Sequence, residues 1–362
     1  MTLEVDGLMH RYGDEPALEN VTFEIDAGEV VGLLGPSGCG KTTTVQAIAG
    51  HVSPTGGQVR LRGQDVTEDP PETRDVGIVF QESTLFPHMT VGENVAYGLR
   101  PTGIGTDERE ATVERYLDLV SLSDQRDAMP AALSGGQKRR AELARALAPQ
   151  PEVLLLDEPL SALDRGLRDR LREEIARIQR ETGVTTLYVT HDQETAMALS
   201  DRLIVMTDGR VAGVGRPREL YESPPTPFVA SFLGQSSQVP VTPSGDPGLT
   251  LDARTLAGGG HQESTGDNGN RPELAGDGSG YPETTVTCLV RPRDVELSDN
   301  IENTHTLTGV VDRVTDLGTH YEVMVELDAG NELEIETHAD PPPAGERVVA
   351  SIDRDDLMVF DH

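Results

Sequence analysis

"VVGLLGPSGCGKTTTVQAIAG", residues 30–50, sets five apolar residues, a glycine-rich turn and a helix-forming stretch in that order. Val30–Leu34 is near-continuously apolar, as a strand buried on both faces must be. "GPSGCGKT", from Gly35 to Thr42, satisfies G-x-x-x-x-G-K-[ST], and "TTVQAIAG" after it reads as a helix, so the loop has the context it needs on both sides. Gly35, Gly38 and Gly40 let successive backbone N–H groups converge on phosphate oxygens, and the following helix end adds its positive dipole. Lys41 can reach the β and γ phosphates of a nucleotide, and Thr42 offers a hydroxyl to Mg²⁺. Cys39 reads as a small residue that fits the loop.

Working outward, the same buried-strand signature recurs in "VGIVF" (76–80), "VLLLD" (153–157), "TLYVT" (186–190) and "LIVMT" (203–207). Between two of them Leu167, Leu171, Ile175 and Ile178 fall at helical spacing before Gly183, a C-terminal cap. The alternation predicts an α/β fold with a mainly parallel sheet. "VLLLDE" supplies the acidic half of a phosphoryl-transfer site: Asp157, at a buried strand's carboxyl end, would hold Mg²⁺, and Glu158 is placed to polarise an attacking water.

The bulk properties narrow the class. The 362 residues allow two domains, and 62 acidic against 30 basic side chains give a formal net charge of −32. That surface repels phosphate backbones, so nucleic acid is not expected as a general partner. Only Lys41 and Lys138 are lysines; acid excess with so little lysine resembles the proteins of salt-accumulating archaea, whose cytoplasm screens such self-repulsion. High salt dependence is expected. Cys39 and Cys288 lie far apart in sequence and form no disulfide framework, which fits a reducing cytosol. "MTLEVDGLMHRYGDE" has neither the basic nor the apolar region of a secretory signal, and no apolar run approaches the ~20 residues of a membrane span, so any membrane association is expected through another subunit.

Composition divides the chain into residues 1–235 and 236–362. Residues 257–280, "AGGGHQESTGDNGNRPELAGDGSG", read as a flexible acidic linker or loop. After it the period becomes two: Tyr321, Val323, Val325 and Leu327 alternate with polar neighbours, and "ELEIE" and "RVVASI" behave alike, which predicts a small β-domain. It carries seven basic and 25 acidic side chains.

A second glycine-rich helix start, "LSGGQ" at 133–137, lies about a hundred residues after the first. Together with it, Gln81 in "VFQES", "SALD" at 161–164, His191 in "VTHDQ" and Tyr12 complete a set that resembles the ATP-binding cassette (ABC) ATPases along the whole chain. The resemblance implies a P-loop NTPase cassette whose ATP contacts are Tyr12 on the adenine, Gly35, Pro36, Ser37, Gly38, Cys39, Gly40, Lys41, Thr42 and Thr43 around the phosphates, Ser134, Gly135, Gly136 and Gln137 of the signature, and Asp164. It implies Mg²⁺ at Thr42, Gln81 and Asp157, and catalysis by Glu158 with His191 and Gln81. In that family two cassettes pack head to tail, so Ser134, Gly135 and Gly136 of one subunit meet the γ-phosphate held by Lys41 of the other; the chain thus carries two complementary halves of a site, one for each edge of a C₂ interface. One departure is Glu142, where a small apolar residue is usual; it stands at helical spacing from Lys138 and Arg139, either of which can pair with it.

"STLFPHMTVGENVAYGLR" and the helical "DEREATVERYLDLVSL" resemble the arm that grips a membrane permease. "SPPTPFVASFLG", "LVRPRDVELS" and "GVVDRVTDLG" resemble the C-terminal OB-like (TOBE) barrel domain of importer ATPases, which dimerises and sometimes regulates. The implied protein is a peripheral ATPase at the cytoplasmic face of the membrane, a homodimer working with permease subunits and, indirectly, an extracytoplasmic binding protein. "LFPHMTVGENVAYGL" and "SALD" look more like the ferric iron and polyamine subfamily than the sugar subfamily, with sugars, molybdate and sulfate as alternatives. Two other readings are weaker. A soluble mechanochemical ATPase on DNA or ribosomes would typically carry a coiled coil, zinc-binding inserts or a second cassette, and a non-catalytic ATP-binding regulator would not need Glu158 and His191.

Overall fold

The computed structural model describes residues 1–99, 104–160, 165–239, 242–244, 248–250, 286–297 and 305–361. "SALD" with Asp164, and the glycine-rich stretch 257–280, lie outside the described residues. Two compact units divide the chain, Met1–Glu222 and Ser223–His362. The division falls one short helix before the compositional boundary at 235, because "PFVASFL" (227–233) packs with the second unit.

The first unit runs β1 (Leu3–Tyr12), β2 (Glu15–Ile25), β3 (Val30–Leu34), α1 (Lys41–Ala49), β4 (Gly56–Leu61), β5 (Gln64–Asp65), β6 (Val76–Val79), α2 (Val91–Tyr97), α3 (Thr106–Leu119), α4 (Gly135–Leu147), β7 (Val153–Asp157), α5 (Arg165–Thr182), β8 (Thr185–Val189), α6 (Gln193–Leu199), β9 (Arg202–Thr207), β10 (Arg210–Gly215) and α7 (Pro217–Glu222). Its main sheet has the order β10-β9-β3-β8-β7-β6, parallel from β9 to β6 with β10 as an antiparallel edge. A second, antiparallel sheet, β2-β1-β4-β5, is added to this. The continuous apolar strands are explained by the two cores. In β7, Val153 and Leu155 enter a core shared with α1 and the antiparallel sheet, while Leu154 and Leu156 enter a core with α2 to α5. In α5, Leu171, Ile175 and Ile178 are buried in the latter core.

Register brings the chemistry to one edge. Leu33 pairs with Val189 and Val189 with Asp157, so β3, β8 and β7 end level, and Val79 of β6 pairs with Leu156. The segments leaving these four strands therefore emerge side by side at the carboxyl edge, where open α/β sheets bind ligands. Behind it, α1 is held at its far end by buried Arg74, whose Nη1 donates to the carbonyls of Ala47 and Ile48 (2.7 Å each), Nη2 to Thr67 O (2.8 Å) and Nε to Asp69 O (2.9 Å). Orphan carbonyls at a helix end need such donors.

The second unit holds α8 (Pro227–Leu233), β11 (Ser237–Val239), β12 (Thr242–Ser244), β13 (Gly248–Thr250), β14 (Val286–Val290), β15 (Val295–Leu297), β16 (His305–Asp316), β17 (Tyr321–Leu327), β18 (Glu332–Thr337), β19 (Arg347–Ile352) and β20 (Met358–Asp361). All its described pairings are antiparallel: β11-β14-β20, β12-β13 and β15-β19-β16-β17-β18. The edge strands β15 and β18 of the five-stranded sheet touch, so it curls into a nearly closed barrel around Val323, Val325, Leu333, Ile335 and Ala350. Both cysteines are buried and neither is in a disulfide, and among the described residues no helix is long and apolar enough to cross a membrane.

Candidate functional site

The loop after β3 folds because its glycines can take conformations other residues cannot. Gly40, the residue before α1, has φ +105°, and a Cβ there would lie 2.7 Å from the carbonyl oxygen of Ala17 and 2.7 Å from Leu18 Cδ2. No side-chain hydrogen bond caps α1 at Gly40, and no acid occupies its first turn, so the helix's own start does not answer its positive end. Lys41 is buried, with Nζ donating to the carbonyls of Gly35 (2.8 Å) and Pro36 (2.9 Å). Burial pushes the Cys39 thiol above its ordinary pKa, the nearby Lys41 charge opposing it. Cys39 is therefore a packed thiol, not a reactive thiolate.

Asp157 closes β7 facing this loop. Burial, and then the charge of Glu158, raise its pKa, while Lys41 and Arg139 pull it down. Its Oδ1 is buried with no hydrogen-bond partner. A buried orphan oxygen calls for an explanation, and a hard divalent cation supplies one, so the residues fit Mg²⁺. Among the described residues no group of three or more His, Cys, Asp or Glu could hold a metal alone. A cation at Asp157 would need further oxygens from Thr42, Gln81 or a ligand's phosphates.

Glu158 has φ +43°, rare for a residue with a Cβ. Its N–H donates to Val189 O (3.0 Å), and its Oε1 lies 3.1 Å from Nδ1 of His191, which follows β8. Strained backbone therefore turns the carboxylate toward the imidazole. His191 is exposed, and next to it Asp192 caps α6 through the Thr195 N–H (3.2 Å).

A cleft of about 420 Å³ brings together Tyr12, Ser37, Gly38, Gly40, Lys41, Thr42, Thr43 and Glu158. Tyr12 is 54% exposed, its ring edge-on to buried His10 at 4.6 Å, and His10 Nδ1 lies 3.1 Å from Ser53 O. A larger cleft, about 640 Å³, opens at the amino edge of the sheet beside Gly28, Glu152 and Thr185, and contains no phosphate-binding loop. Gln81 is exposed just beyond β6. Ser134–Gln137 do not line the cleft of their own chain. Ser134 begins α4 with a reciprocal cap, its Oγ accepting from Gln137 N (3.3 Å) and its N–H donating to Gln137 Oε1 (2.9 Å).

Sequence reasoning missed the grip of Arg74 on α1, the support of Tyr12 by His10, and the φ of Glu158. It left the partner of Glu142 open; the structure pairs Glu142 with Arg139 (2.9 Å).

Residues 18–161 match the ABC transporter family, and residues 288–360 match the TOBE domain. The spermidine/putrescine import ATP-binding protein PotA of Thermobifida fusca is 45% identical over 313 residues, covering 85% of this chain and 78% of that one. The Fe(3+) ions import ATP-binding protein FbpC of Rhizobium etli is 44% identical over 319 residues, covering 88% and 86%. Among solved structures, cbiO1 of Clostridium perfringens, part of the ABC transporter complex cbiONQ, superposes with a TM-score of 0.56 at 31% identity, covering 60% of this chain and 90% of that one.

Proposed function

The chain belongs to the ABC transporter family, and from that premise we propose that it is the ATP-hydrolysing subunit of a binding-protein-dependent importer, acting through permease subunits at the cytoplasmic face of a membrane. Ferric iron or a polyamine is the cargo, on the names of two relatives that align over most of their length.

One observation carries the reading: the loop 35–43, Asp157–Glu158 and His191 leave three neighbouring strands that end level. The backbone N–H groups from Gly38 to Thr43 would receive the phosphates of ATP, and Tyr12 would stack on adenine. Lys41 would exchange its two carbonyl contacts for charge-assisted bonds to the β and γ phosphates. Mg²⁺, when bound, supplies positive charge beside those phosphates, with Thr42, Asp157 and Gln81 as the groups that would hold it. Glu158 would accept a proton from the attacking water as its oxygen bonds to the γ-phosphorus and ADP leaves, with His191, 3.1 Å from the Glu158 carboxylate, holding that carboxylate and reaching toward the γ-phosphate. Ser134, Gly135, Gly136 and Gln137 would complete the site of a second copy packed head to tail. Their absence from the cleft of their own chain favours that arrangement.

The test is Glu158→Gln, assayed with Mg²⁺ and ATP in molar KCl as the net charge demands. Hydrolysis should fall about 10²–10³-fold while ATP binding persists, and the variant should elute as an ATP-dependent dimer. Hydrolysis at the parent rate would remove Glu158 from its role. Purification from membranes with a permease and a binding protein, whose bound ligand is then identified, decides the cargo.

A further inference from the structure

Helix α4 carries Ser134 at its tip, but its flank is also occupied. Arg139, Glu142 and Arg145 recur every third residue, and all three reach the segment that leaves β6. Arg139 Nη1 donates to Phe80 O and, at 2.9 Å, to Glu142 Oε2. The other carboxylate oxygen, Oε1, accepts from the Thr84 N–H at 2.8 Å. Arg145 Nη1 donates to Thr84 O at 2.7 Å. Further on, Asn94 of α2 accepts from Phe86 N (2.8 Å) and donates to Met89 O (3.1 Å) and Thr90 O (2.9 Å). Residues 81–83 are exposed between these holds.

The pair Arg139–Glu142 is only 5% and 2% exposed. Desolvating two ions offsets most of their attraction, so a buried pair is a poor device for stability alone. This one also leaves Nε and Nη2 of Arg139 buried without a hydrogen-bond partner. Well-packed apolar side chains of similar volume would fill such space at no greater cost. What the pair adds is direction: one backbone contact on each side of Gln81, both made from the helix that begins at Ser134.

We infer that Arg139 and Glu142 are positioning residues for Gln81. They fix where residues 80–84 cross the carboxyl edge of the sheet, and they make any shift of α4 a shift of Gln81 as well. The inference rests on the reading of Gln81 as part of the hydrolytic site.

The experiment uses the full chain with ATP. In the nucleotide-free protein, Glu142→Ala should speed hydrogen exchange of the Thr84 amide by about tenfold or more, because its acceptor is gone. Its kcat should fall about tenfold with KM for ATP within about twofold, as for an interaction made only in the transition state. Glu142→Gln, which keeps an oxygen for Thr84, should recover part of the loss. In a Gln81→Ala background, Glu142→Ala should add no further loss. If Glu142→Ala does not fold, by circular dichroism, Glu142→Leu, which fills more of the space and likewise removes the acceptor of the Thr84 N–H, carries the same comparisons. Unchanged kcat, a loss that multiplies with that of Gln81→Ala, or unchanged Thr84 exchange overturns the inference. Failure of the hydrolytic reading is distinguishable: Glu158→Gln and the parent would then hydrolyse ATP alike, and the inference would fall with it.

Discussion

Two helices in the first unit begin on glycine-rich loops, and they begin in opposite ways. Helix α1 starts from Gly40 with no side-chain cap and no acid in its first turn, whereas α4 starts from Ser134 with a reciprocal cap to Gln137. The first leaves its positive end for a ligand to satisfy. The second satisfies itself and arrives at any partner already shaped. A third start separates form from use: α2 has the same reciprocal cap, Thr90 with Glu93, yet bears none of the candidate site residues.

These starts can be tested against each other. The largest effect is expected at the open one: Lys41→Ala should weaken ATP binding by about 100-fold or more, since a charge-assisted contact to phosphate is lost, and titration with a fluorescent ATP analogue reads it directly. An affinity within threefold of the parent would mean that α1 is not the phosphate receptor. Next, Gly40→Ala forces a side chain to φ +105° against the Ala17 carbonyl, and should cost about 2–3 kcal/mol in chemical denaturation of the first unit. Preserved stability would show that the loop relaxes freely. Smallest in stability are the two caps: Thr90→Ala and Ser134→Ala should each cost about 1 kcal/mol. Only Ser134→Ala should also slow hydrolysis. If both variants hydrolyse ATP equally, the Ser134 tip of α4 holds no share of the site.

The parallel sheet was legible because burial on both faces imposes a one-letter rule: Val153–Leu156 is apolar throughout, and β3, β6, β7, β8 and β9 all lie where such runs occur. The β-unit was legible for the opposite reason, since strict alternation in β17 and β18 answers to a single core. The antiparallel sheet was not. The pairings of β1 break register between Val5 and Leu8, between Leu8 and His10, and again at Arg11, which blurs the period that pattern reading depends on. In the candidate site, the phosphate loop and the Asp157–Glu158 pair follow from local spacing. Arg74, whose partners lie up to 27 residues away, does not, because its role depends on where the chain returns. Nor does the backbone of Glu158, whose positive φ accompanies a hydrogen bond to Val189 of a distant strand and is not signalled by its own residue type.

The Arg74 hold on α1 has a mechanical consequence. A helix pinned at its far end by donors from a different segment is stiff along its axis and cannot recoil when load at its near end changes. The loss of a phosphate at Lys41 would then be felt as displacement elsewhere, in whatever part of the cleft is more compliant. An anchored α1 makes the phosphate loop the fixed jaw of a vice, and in the head-to-tail pair proposed above the second copy would be the movable one.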